Sequence, residues 1–122
     1  MKVCITASGP EWNSQIDARF GRCQVFDIVD LETGTIEPVP NPNIETSGGA
    51  GIQSAQLVVS RGVTAVITGH VGPNAFGVLN AAGVEIFIGS AGTVKDAAEA
   101  YQSGKLQRAQ AEDARSKLVS GQ

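Results

Sequence analysis

The second half of the chain alternates between short apolar runs and segments with helical spacing, and this alternation restricts the fold more than any other feature. The runs VTAVITG (63–69) and VEIFIG (84–89) predict two buried strands. Helices are predicted before, between and after them. Such alternation is typical of parallel strands that are joined by helices.

The three predicted helices share apolar positions that recur every three or four residues. A capping box between Thr93 and Asp96 predicts the start of the third helix. Glycines at 62 and 83 predict where the first two helices end. The apolar positions are Ile52, Ala55 and Val59 in the first helix, Ala75, Val78, Leu79 and Ala82 in the second, and Val94, Ala97, Ala98 and Tyr101 in the third.

The first half of the chain predicts three further strands. KVCITAS is a buried strand that contains Cys4, and CQVFDIVDLETGTIEPVP predicts two strands with a turn at residues 32–34. Pro38 and Pro40 place the last of these at a sheet edge, because proline cannot donate to a ladder. The expected fold is an α/β, ribonuclease-H-like mixed sheet of five strands in the order 3-2-1-4-5, with strand 2 antiparallel and helices on its faces.

Length, composition and charge exclude several classes of function. The 122 residues predict a single binding domain at 1–104 and a charged tail at 105–122 that is helical or disordered. The net charge of −3 argues against a nucleic-acid partner, which requires a basic face. The apolar runs are too short for a membrane span or a secretory signal, so we expect a cytoplasmic protein.

Glycine-rich turns are expected to meet at one edge of this sheet. They precede strand 2 (21–23), lead into the first helix (48–51) and follow strands 4 and 5 (68–70 and 89–93). This edge lies at the carboxyl ends of the parallel strands, where open α/β sheets bind ligands. The helix starts, together with Arg19 and Arg22, favour an anion.

The chemistry of the turns narrows the kind of anion. Neither a GxxxxGK[ST] phosphate loop nor a GxGxxG dinucleotide motif is present. Cys23 and His70 offer a thiolate and an imidazole, which suit copper, iron or sulfide clusters. Two ligands are too few to hold a bare zinc ion but can anchor a preformed anionic cluster.

Three segments carry a resemblance to a known family. DARFGRCQVFDIVD, GGAGIQSAQLVVSRGVTAVITGHVGPNAF and LNAAGVEIF resemble the dinitrogenase iron–molybdenum cofactor-binding family, over roughly residues 1–103. The resemblance implies non-covalent binding of the iron–molybdenum cofactor, its precursor or, as in small members of the orange-protein type, a molybdenum–copper sulfide cluster. The chain has no radical-SAM CxxxCxxC motif, so a carrier or storage protein is implied rather than an enzyme. Cluster donor or acceptor proteins would then be partners.

The resemblance also implies site residues, position by position. The RFGxC, GGAG and TGHxGPNAF motifs supply them. The predicted metal ligands are Cys23 and His70. The predicted cofactor-binding residues are Arg19, Gly21, Gly48, Gly49, Gly51, Thr68, Gly69, Gly72 and Asn74.

Simpler interpretations of single residues remain open alongside these. His70 could close a turn through a neighbouring carbonyl, and Cys23 could be a small buried hydrophobe. Trp12 could cover the site or only anchor its loop. At the level of the whole protein, the alternative is a regulatory or scaffold module that binds a partner protein or a small anion. A nuclease is disfavoured, because the first strand lacks the carboxylate that two-metal hydrolysis uses.

Overall fold

A computed structural model describes residues 1–44 and 48–110 of the chain. The strands are β1 (Lys2–Ala7), β2 (Val25–Asp30), β3 (Thr35–Pro40), β4 (Ala65–Ile67), β5 (Glu85–Ile88) and β6 (Gln107–Arg108). The helices are α1 (Ala50–Ser60), α2 (Pro73–Ala81) and α3 (Val94–Gln102). The strands form one sheet in the order β3-β2-β1-β4-β5-β6.

The pairing within this sheet confirms the predicted ribonuclease-H-like arrangement. β2 runs antiparallel to both β1 and β3, whereas β1, β4 and β5 are parallel to one another. The proline-containing strand β3 lies at an edge, as expected. The carboxyl ends of β1, β4 and β5 therefore share one edge of the sheet with the start of β2.

A sixth strand is the main departure from the expected fold. The tail from residue 105 was expected to be helical or disordered, which is wrong for Gln107 and Arg108, because these residues pair with β5 as β6. Ala109 is buried and its N–H donates to the carbonyl of Ile86 at 2.7 Å. Two exposed strand residues show no hydrophobic periodicity, so only tertiary pairing defines them. The remaining tail residues, 111–122, lie outside the described residues.

The two faces of the sheet bury separate hydrophobic clusters. Side chains alternate along each strand, as the period of two requires. α1 and α2 pack on the cluster that contains Cys4, which is fully buried as expected. α3 covers the other face through Val94, Ala97 and Ala98. None of the helices in the described ranges has the length and apolar character needed to cross a bilayer.

The capping box at the start of α3 forms as predicted. The Thr93 hydroxyl accepts from the N–H of Asp96 at 3.1 Å, and the Asp96 carboxylate accepts from the N–H of Thr93 at 3.0 Å. The hydrogen bonds to the backbone and hydroxyl of Thr93 lower the pKa of Asp96. The carboxylate therefore stays ionised at the positive end of the helix.

Candidate functional site

A cleft of about 320 Å³ opens at the shared edge of the sheet. It is formed by the turn before β2, the start of α1, and the turn between β4 and α2. The lining residues are Arg19, Phe20, Gly21, Arg22, Gly49, Gly51, Ile52, His70, Gly72, Pro73, Asn74 and Ala75.

The cleft brings together most, but not all, of the predicted site residues. Four of them stand outside its lining. These are Gly48, Thr68, Gly69 and Cys23. Those that line it are Arg19, Gly21, Gly49, Gly51, Gly72 and Asn74 from the cofactor-binding set and His70 from the metal set.

Two of the predicted residues support the walls from behind. Thr68 is fully buried, and its hydroxyl accepts from the hydroxyl of Thr6 at 2.7 Å. A Cβ at Gly69 would lie 2.6 Å from the Cα of Ala18, so the loop before β2 can approach only a glycine. Both residues therefore shape the site without facing it. Gly48 is exposed at the entrance to α1.

The loop before β2 runs beside the end of β4 and fixes Arg19 next to His70. These two residues form an isolated parallel bridge. The N–H of His70 donates to the carbonyl of Ala18 at 2.8 Å, and the N–H of Phe20 donates to the carbonyl of His70 at 3.3 Å. The half-buried His70 side chain is thus presented by a backbone that is held on both sides.

A second close approach joins this loop to α1. A Cβ placed on Gly21 would lie 3.2 Å from both the Cα and the N of Gly51. The two backbones therefore touch at the floor of the cleft, and larger residues would separate them. Gly51 in turn packs near the Cβ of Ala75 in α2. These glycines set how close the three cleft walls can come.

Sequence reasoning missed Asp17, which holds the Arg19 guanidinium. Its carboxylate accepts from Nε and Nη2 of Arg19, each at 3.2 Å, and from the Arg19 backbone N–H at 3.0 Å. The Asp17 side chain is 10% exposed and that of Arg19 is 65% exposed. The outer side of the guanidinium remains towards solvent. The Asp-x-Arg spacing in this loop could have predicted the ion pair between Asp17 and Arg19.

Arg22 ties the turn before β2 to the segment before α1. Its Nη1 donates to the carbonyl of Ile44 at 2.7 Å and to that of Asn43 at 3.4 Å. Asn41 strengthens the same junction, because its amide donates to the carbonyls of Gly21 and Cys23. Arg22 therefore adds positive charge to the cleft while it also organises the wall.

The structure separates the two predicted metal ligands. Cys23 is fully buried in the cluster under α1 and α2, whereas His70 lines the cleft. Burial raises the pKa of the Cys23 thiol to about 12, so this side chain is a neutral thiol near pH 7. The placement corresponds to the small buried hydrophobe that was the alternative interpretation. The two interpretations stay open at the level of sequence, because sequence shows a residue's position at a strand start but not the direction of its side chain.

Two helices point their N-termini into the cleft. α1 begins after N-cap Gly49 and α2 after N-cap Gly72, and neither has a side-chain cap or an acidic residue in its first turn. Pro73 occupies the first position of α2, which proline suits. The uncapped first turns carry partial positive charge and favour an anion.

Trp12 lies away from this cleft. Its ring packs with the cluster under α3, and its carbonyl accepts from the N–H of Lys95 at 2.9 Å. It lines a different depression of about 420 Å³ between α3 and the β2–β3 turn. Trp12 is thus an anchor of its loop, and the alternative of a cover over the site is wrong.

The family described as "Dinitrogenase iron-molybdenum cofactor" matches residues 1–104. The chain belongs to this family. Membership supports a cluster-binding role in general, and it specifies no particular cluster.

Several relatives share nearly the full length of this chain. An uncharacterised protein of Methanocaldococcus jannaschii is 30% identical over 111 residues, which are 88% of this chain and 91% of the relative. The apo form of the orange protein from Desulfovibrio gigas has a TM-score of 0.85 and 36% identity, with 88% of this chain and 92% of that chain covered. A Thermotoga protein described as a candidate NifB protein has a TM-score of 0.77 and 37% identity, covering 88% and 91%.

Proposed function

We propose that this protein binds an anionic metal–sulfur cluster in the cleft and carries or stores it without catalysing a reaction on it. The supporting observation is the convergence of two uncapped helix N-termini with Arg19, Arg22 and His70 on one cleft. Among residues 1–44 and 48–110, none that lines the cleft is acidic, so the field of these residues favours an anion. The cluster is cargo, of the iron–molybdenum or the molybdenum–copper sulfide type.

The donor set fits a preassembled cluster better than a single metal ion. Within residues 1–44 and 48–110 there is no group of three or more His, Cys, Asp or Glu side chains that could hold a metal ion. His70 can offer one nitrogen to a metal of the cluster. Backbone N–H groups at Gly51 and the amide of Asn74 can donate to bridging or terminal sulfides. Cys23 is left out of the binding set because it is fully buried and does not line the cleft.

A carrier receives its cargo from one protein and gives it to another, so we infer cluster donor or acceptor proteins as partners. We also propose a cytoplasmic location, where the buried cysteines Cys4 and Cys23 would remain reduced.

An anaerobic titration with tetrathiomolybdate and copper(I) tests the proposal. The protein is desalted, and visible absorption and metal analysis report what it retains. We expect a coloured, stoichiometric complex that is weakened about tenfold in His70→Ala and in Arg19→Gln, since each removes one direct contact. Arg61→Gln is the matched control: Arg61 follows the C-terminal end of α1 and pairs with Glu37 at 2.8 Å.

The control decides what a loss of binding means. Equal weakening in Arg19→Gln and Arg61→Gln would show that only net charge matters, and the cleft would be the wrong site. A wild-type protein that retains neither this cluster nor isolated iron–molybdenum cofactor would refute the carrier function. That result would favour the regulatory module as the alternative.

A further inference from the structure

One large apolar side chain of the cleft is exposed without an evident structural reason. Ile52 is 36% exposed, and among the described residues only Met1 joins it as an exposed large hydrophobic. Ile52 stands in the first turn of α1. It lines the cleft together with Phe20 and Ala75. An isoleucine at a helix start gains little from solvent exposure, whereas a polar residue there would be neutral or favourable.

The two arginine side chains of the cleft are partly engaged within the protein itself. The Arg19 guanidinium already shares two of its N–H groups with Asp17, and Arg22 donates to two backbone carbonyls. An oxyanion that entered would exchange its water for these partly used donors and for an apolar wall, and such an incomplete exchange is costly. A sulfido anion is larger and more polarisable, and it gains dispersion energy from aliphatic and aromatic atoms.

We propose that Ile52 is a specificity-determining residue that makes the cleft select sulfido anions over oxo anions of the same shape and charge. The exposed side chain of Ile52 contacts the sulfur atoms, next to the nearly buried Phe20 and Ala75, and the helix N-termini and Arg19 balance the charge. This inference rests on the proposed function, because it assigns the ligand class of the same cleft.

A matched pair of probes tests whether the cleft selects sulfido over oxo anions. Tetrathiomolybdate and molybdate are both tetrahedral dianions and differ only in sulfur against oxygen. Their affinities are measured by anaerobic equilibrium dialysis with metal analysis, for the wild type, Ile52→Asn and Ile52→Leu. The exposure of Ile52 predicts that all three fold equally well, and thermal unfolding verifies this.

We expect the wild type to bind tetrathiomolybdate more tightly than molybdate. Ile52→Asn should lose on the order of fivefold in tetrathiomolybdate affinity, since it removes part of the apolar contact, and should keep its molybdate affinity. Ile52→Leu, which keeps the apolar character, should stay within about twofold of the wild type for both anions.

The outcomes separate this inference from the proposed function. Equal binding of the two anions by the wild type, or equal losses for both in Ile52→Asn, would overturn the role of Ile52 and leave the anion-binding cleft in place. Binding of neither anion by the wild type would refute the proposed function, and the inference with it.

Discussion

The N-terminus of α3 lies at the same edge of the sheet as those of α1 and α2, but its donors are used differently. The first three N–H groups of α3 are all satisfied within the protein. Val94 donates to the carbonyl of Ser14 and Lys95 to that of Trp12, each at 2.9 Å, and Asp96 donates to the hydroxyl of Thr93. The loops after β1 and β5 therefore close this half of the edge.

The helices on the other face begin with glycine. Gly49 and Gly72 have no side chain to accept a hydrogen bond, and the first turns of α1 and α2 contain no acidic residue. Gly72 shares the extended backbone of Thr93, whereas Gly49 is left-handed with φ 73°. The start of α3 therefore differs in its cap residue and in the carbonyls of Ser14 and Trp12, which occupy its first two N–H groups. The comparison teaches that binding capacity along one sheet edge follows from which helix starts are left uncapped.

The largest expected effect comes from giving α2 the kind of cap that α3 has. Gly72 has extended backbone angles, with φ −77° and ψ 169°, and nothing lies within 4 Å of an added Cβ. Gly72→Asp should therefore fold, gain a few tenths of a kcal/mol from the cap and place a carboxylate in the cleft. We expect tetrathiomolybdate affinity to fall on the order of a hundredfold, because like charges would meet there.

Gly77→Asp is the control for this change. It adds the same charge to the same helix, at an exposed position that an added Cβ fits and that does not line the cleft. Its affinity should stay near that of the wild type, as dialysis would show. Unchanged binding in Gly72→Asp would mean that the start of α2 does not contact the ligand.

The face of the sheet that α3 covers contains a buried carboxylate. Asp27 lies on β2 between Val25 and Val29, on the face that α3 covers, and neither of its oxygens has a hydrogen-bond partner. Burial raises its pKa to about 7. The folded state therefore keeps a proton that the unfolded chain releases near its ordinary pKa of about 3.9.

The sign of the pH dependence follows from this difference. The contribution of Asp27 to stability is complete below about pH 4 and is lost as the pH rises to about 7. Asp27→Asn should remove this loss, so its stability relative to the wild type should rise by up to about 4 kcal/mol between pH 4 and pH 8, since the pKa rises from about 3.9 to about 7. Urea unfolding at both pH values measures it. A difference that is the same at pH 4 and pH 8 would contradict the assignment, and cluster affinity should not change.

The fold could be predicted because its signals are local. Buried strands appear as apolar runs, the α3 cap appears as Thr93 and Asp96, and the edge position of β3 appears as two prolines. Chain connectivity and handedness then restrict the strand order to few choices. β6 escaped prediction because a two-residue exposed strand carries no such signal.

The site could be predicted only at the level of its backbone. The glycine-rich turns do converge, yet their residues divide into those that line the cleft and those, such as Gly69, that admit a neighbouring loop. The burial of Cys23 and the ion pair between Asp17 and Arg19 depend on side-chain directions, which are determined by tertiary contacts. A motif therefore locates an edge of the sheet but does not distinguish contact from support.

The smallest expected effect comes from opening the capped helix start. Thr93→Ala removes the side-chain acceptor for the Asp96 N–H and should cost about 1 kcal/mol of stability, measured by urea unfolding. It should leave tetrathiomolybdate affinity unchanged, because the carbonyls of Ser14 and Trp12 still occupy the first two N–H groups of α3. A new anion site in Thr93→Ala would show that the side-chain cap alone distinguishes the two halves of the edge. Unchanged affinity would show that the loops after β1 and β5, which cover α3, are what keep that half closed.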